Sequence, residues 1–167
     1  MPYDADTAVA KATAHWQAGR YLEAGELLFE TLPLEVRPKW AARVLRAAVD
    51  KSGIEFAPIE NVLRIANHPE QWGEAHNAFT VLRESTFELG KNKFRTKEQE
   101  LFLCLLYLAE NVAKVIYNTS GLPWAFDEDS GWWVAQALRD VLDEVGDPEF
   151  SQSAWLLLCA REDSPTS

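Results

Sequence analysis

Tyr107, Asn111, Lys114 and Asn118 follow one another at helical spacing, which stacks a phenol, two carboxamides and an ammonium on one helix face. Such groups can bind and orient polar ligands. The run before them, residues 101–109, is apolar all round and predicts burial on every side. A polar stripe continuing from it is expected to be partly buried, so its ammonium needs a partner. Glu110 stands four residues before Lys114, and Asp127, Glu128 and Asp129 follow in the loop over 118–130. Two readings stand side by side. In one, the stripe is a structural network that pins the loop to the helix, with Lys114 paired to Asp127 or Asp129. In the other, Asn111, Lys114, Asn118, Asp127 and Asp129 wall a ligand pocket floored by Trp124, Trp132 and Trp133. Aromatic rings beside carboxylates suit a cationic ligand or a partner's Arg or Lys side chain.

Other chemistries find no motif. The three histidines, His15, His68 and His76, form neither a His-Glu-x-x-His nor a Glu-x-x-His pair, so no metal site is expected. There is no Gly-x-Ser-x-Gly elbow, and the eight glycines are scattered with no phosphate-cradling loop. Cys104 and Cys159 both lie in apolar runs, where burial keeps a thiol protonated and inert. No catalytic residue and no cofactor is assigned.

Charge supplies the second candidate. The chain carries a formal net charge of −10. That opposes binding to nucleic acid, which depends on neutralising phosphates. It favours encounter with a basic protein. Residues 127–149 hold eight Asp or Glu against the single Arg139, whereas 37–51 holds five basic residues and 91–97 holds four. Asp140, Asp143, Glu144 and Asp147 define an acidic surface able to dock a basic partner; solvated, partly salt-bridged faces are the plainer reading. In gross character, a small acidic helical chain, the protein is similar to bacterial immunity proteins that neutralise basic nuclease toxins. That similarity is one of composition, so it transfers no residue roles.

These residues need helices to position them. Pro38, Pro58, Pro69 and Pro148 each stand where a first helical turn tolerates a missing N–H. They predict helices over 39–50, 59–66, 70–89 and 149–160. Asp6 is expected to cap a helix over 6–18, Gly19 to end it, and 21–30 to complete a helical hairpin. Trp16, Gly19, Tyr21 and Ala24 resemble the helix-turn-helix of a tetratricopeptide repeat over about 20 residues, without a second copy at the ~34-residue period. Gly90 is expected to end its helix. Thr96 with Gln99 predicts a capping box opening a helix over 97–117. Gly131 opens and Gly146 closes a helix over 131–145.

Period-two alternation is absent. The expected fold is therefore all-α: one domain over 1–160, about eight helices bundled around a buried helix 97–117, and a disordered tail over 161–167. No stretch reaches the ~20 apolar residues of a membrane span. The first residues lack a basic, then apolar leader, so a cytoplasmic, bacterial-type setting is expected. The leading functional expectation is a non-catalytic protein-binding module. A small-ligand binder or enzyme using the 107–133 region is the alternative, and a homodimer through a Trp-rich face is a third.

Overall fold

Proline and glycine punctuate the chain much as their chemistry requires. The structure, a computed structural model, describes residues 5–122 and 131–150. Helix α1 (Ala5–Gln17) meets α2 (Tyr21–Glu30) across Gly19, whose φ of 82° lies in the left-handed region. A short 3₁₀ turn, Leu34–Val36, leads into α3 (Arg37–Ser52), which carries Pro38 in its first turn and stops at Gly53. Helix α4 (Ala57–Ala66) has Pro58 in its first turn. A 3₁₀ segment, Pro69–Glu74, then precedes α5 (Ala75–Gly90). Helix α6 spans Lys97–Thr119 and α7 spans Gly131–Val145. Among the described residues every regular element is helical, and the fold is all-α.

The predicted capping box opens α6. The Gln99 N–H donates to the Thr96 hydroxyl oxygen at 3.1 Å, and the Thr96 N–H donates to Gln99 Oε1 at 2.9 Å. At the far end of α7 the Asp147 carboxylate accepts the Glu149 N–H at 3.0 Å, so Asp147 does cap the turn that follows. The rest of the helix expected over 149–160, and the tail, lie outside the described residues.

Three local expectations are corrected. Asp6 lies inside the first helix, Ala5–Gln17, and not ahead of it as its cap. Residues 70–89 do not form one helix, because Pro69–Glu74 winds as 3₁₀. Trp72 explains the tighter path: its buried ring packs against the core, and its indole N–H donates to the Ala66 carbonyl at 3.2 Å at the end of α4. Gly90 is the last residue of α5, not a left-handed cap beyond it; Lys91 follows in ordinary right-handed conformation.

One contiguous apolar cluster draws side chains from all seven α-helices. Helix α6 is its axis, packed by α5, α7 and α3, with α4 touching it more lightly. Contacts pair α5 and α6 in reverse order, His76 with Tyr117, Phe79 with Lys114 and Arg83 with Glu110, so the two run antiparallel. Helix α2 packs on α1 and α7, and the Arg139 guanidinium sits 4.8 Å above the Tyr21 ring across that contact. Trp40 is 1% exposed and lies 5.9 Å from Phe29, which makes it the largest fully buried side chain. Truncating such a residue to Ala typically costs about 3–5 kcal/mol. Residues 101–109 are not buried on every side: Tyr107 is 41% exposed, and Phe102 and Cys104 are half-buried. Three neighbouring helices cannot enclose a fourth completely, and the line through Tyr107 is the gap they leave. Among the described residues no helix is long and apolar enough to cross a membrane.

Candidate functional site

The stripe Tyr107, Asn111, Lys114, Asn118 runs along that gap at the rim of the α5–α6 seam. It is less buried than the sequence suggests: Asn111, Lys114 and Asn118 are all half-buried. The Asn111 carboxamide donates to the Tyr107 carbonyl at 2.9 Å, so one of its donors is committed to its own helix. The Lys114 ammonium stands 5.4 Å from the centre of the Phe79 ring, close enough for a cation–π contact. Tyr107 borders a shallow depression of about 260 Å³ with Arg83, Thr86, Phe87, Gly90 and Lys91. Trp124, Asp127, Asp129 and the side chain of Trp132 lie outside the described residues, and so does any pairing of Lys114 with the loop carboxylates. Trp133 is half-buried on α7.

The buried polar group of this seam is Glu110. It is 3% exposed, one residue round the helix from the stripe. Its Oε1 has no hydrogen-bond partner, and its Oε2 lies 3.7 Å from a guanidinium nitrogen of Arg83, itself an exposed side chain. Burial pushes the Glu110 carboxyl above its ordinary range. Thr86, Arg83 and Lys114 pull the other way, more weakly. The Thr86 hydroxyl has one proton, and it points to the Leu82 carbonyl at 3.0 Å. With that proton shared with Leu82, Thr86 is a weak donor to the carboxylate, and burial outweighs it. Geometry and burial therefore favour the neutral form.

A second constellation lies where α6 meets α7. Cys104 is a free, half-buried thiol. Burial first, then the negative charges of Glu144, Asp140, Glu100 and Asp143, push its pKa up to about 12. The sequence reading of Cys104 as buried is thus too strong, while the surrounding carboxylates add a second reason for its thiol to stay protonated. Four acidic side chains lie close enough around one sulfur to act on it electrostatically.

The four predicted surface carboxylates divide into two pairs. Asp143 is bound by Arg139 one turn away on the same helix. Asp147 is bound by Lys51 at 2.8 Å, and that hydrogen bond holds its carboxyl below the ordinary range. Asp140 and Glu144 form no ion pair among the described residues. The Gln136 amide donates to the Asp140 carboxylate at 3.5 Å. Although Asp140 is exposed, the protein crowded beside it raises its carboxyl, and Asp143 adds to that. Glu100, which the sequence did not single out, joins this face and is paired with Arg95 at 2.8 Å.

The burial of Glu110 has a signal in the chain. Leu103, Leu106, Ala113 and Tyr117 lie three, four or seven residues from it, on one stripe, and all are buried. Glu110 occupies a position where that pattern calls for an apolar side chain. Glu100 carries no comparable signal, since only the packing of α7 brings it to the acidic face. No known protein family, curated protein or solved structure matches the chain.

Proposed function

We propose that the protein is a non-catalytic binding module that meets a basic protein partner through the α6–α7 acidic face. The carrying observation is the juxtaposition of Glu100, Asp140, Asp143 and Glu144 around Cys104, with Asp140 and Glu144 in no ion pair among the described residues. Like charges held this close repel, and an incoming Lys or Arg relieves that repulsion while pairing with each free carboxylate. Asp143 and Asp147 contribute less, because Arg139 and Lys51 already neutralise them. The thiol at the centre of the face is held protonated, which fits a docking role and not nucleophilic chemistry.

The test is quantitative capture of basic proteins from a host lysate by the immobilised protein, at low and high salt. Wild type is compared with the double reversal Asp140→Lys/Glu144→Lys, and with Glu35→Lys/Glu84→Lys, which changes net charge equally at exposed sites elsewhere on the surface. A salt-sensitive partner retained by wild type and by the control pair, but lost from the α7 pair, is expected. Equal retention by all three removes this reading.

A further inference from the structure

Helices α3, α6 and α7 pack on one another, and where their ends meet they leave a groove of about 620 Å³. That volume is within the usual range of small-molecule sites. The end of α3 with the three residues after it forms one wall; the first two turns of α6 and the last turn of α7 form the others. Ile54, Leu101 and Val145 supply the apolar lining. Each is half-buried and packs on the core, so the surface it has left is open to the groove.

The charges along the groove do not cancel. Lys51 is committed to Asp147 at 2.8 Å. Lys97 and Glu98, neighbours in the first turn of α6, offset one another. Glu55 and Glu144 remain, and neither forms an ion pair among the described residues. Glu55 is exposed and Glu144 half-buried. The backbone adds to their field independently. Helices α3 and α7 both end here, at Ser52 and Val145, where Gly53 and Gly146 take the left-handed conformation. Carbonyls of a last helical turn lack intrahelical partners and carry partial negative charge, so a helix C-terminus favours a cation. The start of α6 brings the opposite sign, but its capping box already satisfies part of it.

The kind of cation follows from the lining. A single metal ion needs convergent oxygen ligands, and among the described residues no three His, Cys, Asp or Glu side chains come together to hold one. Two carboxylates on different elements, two helix C-termini and an apolar lining suit positive charges spaced along an aliphatic chain. We infer that the α3–α6–α7 groove binds a small aliphatic polyamine, with Glu55, Glu144 and the carbonyl ends of α3 and α7 pairing with its ammonium groups and Ile54, Leu101 and Val145 contacting its methylenes. Methylene stems lie on apolar surface while their charged ends stay with polar groups, as those of lysine do. The chain's net charge of −10 draws a polycation towards it. Glu144 also belongs to the face proposed for docking a basic protein, but Glu55 does not, so the two readings fail separately.

The probe is spermidine, titrated into the full chain at an ionic strength held constant with sodium chloride, with backbone amide NMR shifts as readout. Saturable shifts at the ends of α3 and α7 and the start of α6 are expected. Glu144→Gln should weaken binding roughly tenfold, the loss of one charge-assisted hydrogen bond. Glu55→Gln, at an exposed position, should weaken it about threefold. Glu84→Gln, exposed on α5, should leave it unchanged. Glu55 is exposed, so its variant decides the matter even where the Glu144 variant is destabilised. Shifts that do not saturate, or that scatter over every acidic face, overturn the inference as a general response to a polycation. Unchanged affinity in Glu55→Gln also overturns it. Saturable shifts at the groove with trilysine but none with spermidine overturn it in favour of a peptide segment.

Discussion

Glu110→Gln should make the protein more stable at mildly alkaline pH and leave it nearly unchanged at acid pH. Glutamine copies the shape and neutrality of the protonated acid but cannot ionise. The wild-type carboxyl is 3% exposed, has one oxygen without a partner, and meets its nearest cation only at 3.7 Å. Ionising it therefore strands a charge with poor compensation. The sign follows from linkage. The folded-state pKa is raised above the ordinary 4.5, so the folded state binds this proton more tightly than the unfolded chain does. The resulting stabilisation is fully present below the unfolded value and is lost as pH rises through the folded value. The variant lacks that loss.

The magnitude is set by one poorly satisfied buried polar group, about 1–3 kcal/mol. In a domain of this size each kcal/mol moves the melting temperature by about 2–4 °C. The variant should thus melt roughly 2–12 °C above wild type near pH 8 and coincide with it near pH 4.5. Circular dichroism melts of both proteins at the two pH values give the double difference. A variant less stable than wild type near pH 8, with a deficit that shrinks on acidification, would show that Glu110 is a working carboxylate held by Arg83 and Lys114, and would refute the reasoning.

Two further outcomes test the rest of the structure. Thr96→Ala removes one half of the α6 capping box and should cost about 1 kcal/mol in urea unfolding, with Gln99→Ala costing no more; no loss from either would mean that α6 does not begin at this cap. Cys104, with its pKa near 12, should resist iodoacetamide at neutral pH in the native protein and react once denatured, and Asp140→Lys/Glu144→Lys should lower its pKa measurably by ultraviolet thiolate absorbance; an unchanged pKa would place those carboxylates too far away to act on the sulfur.

Much of the fold is legible in the sequence because its stop and start signals are local. Thr96 and Gln99 are three residues apart, and their reciprocal hydrogen bonds need no tertiary context. Gly19 and Gly146 adopt the left-handed backbone that their positions after apolar periodic segments call for. The failures are tertiary. Pro69 marks a helix start correctly, but the indole of Trp72 reaching Ala66 decides that the first turns wind as 3₁₀. Residues 101–109 read as enclosed because hydropathy reports how apolar a helix is, not how many neighbours surround it, and Tyr107 falls at the open rim of the seam with α5.

The site follows the same division. Spacing alone places Asn111, Lys114 and Asn118 on one face, and they do share it, but spacing does not tell whether that face lies in a seam or along its rim. A rotation of one residue separates the two, which is why Asn111 is half-buried while Glu110 is enclosed. Charge counting identifies the acidic surface of α7 yet treats its members as equal. Arg139 four residues before Asp143 is visible in sequence. The ion pair of Asp147 with Lys51 joins residues far apart in the chain and is visible only in the folded molecule. The net charge available to a partner is therefore concentrated on Asp140 and Glu144, and reversal of those two should weaken docking more than reversal of Asp143 and Asp147.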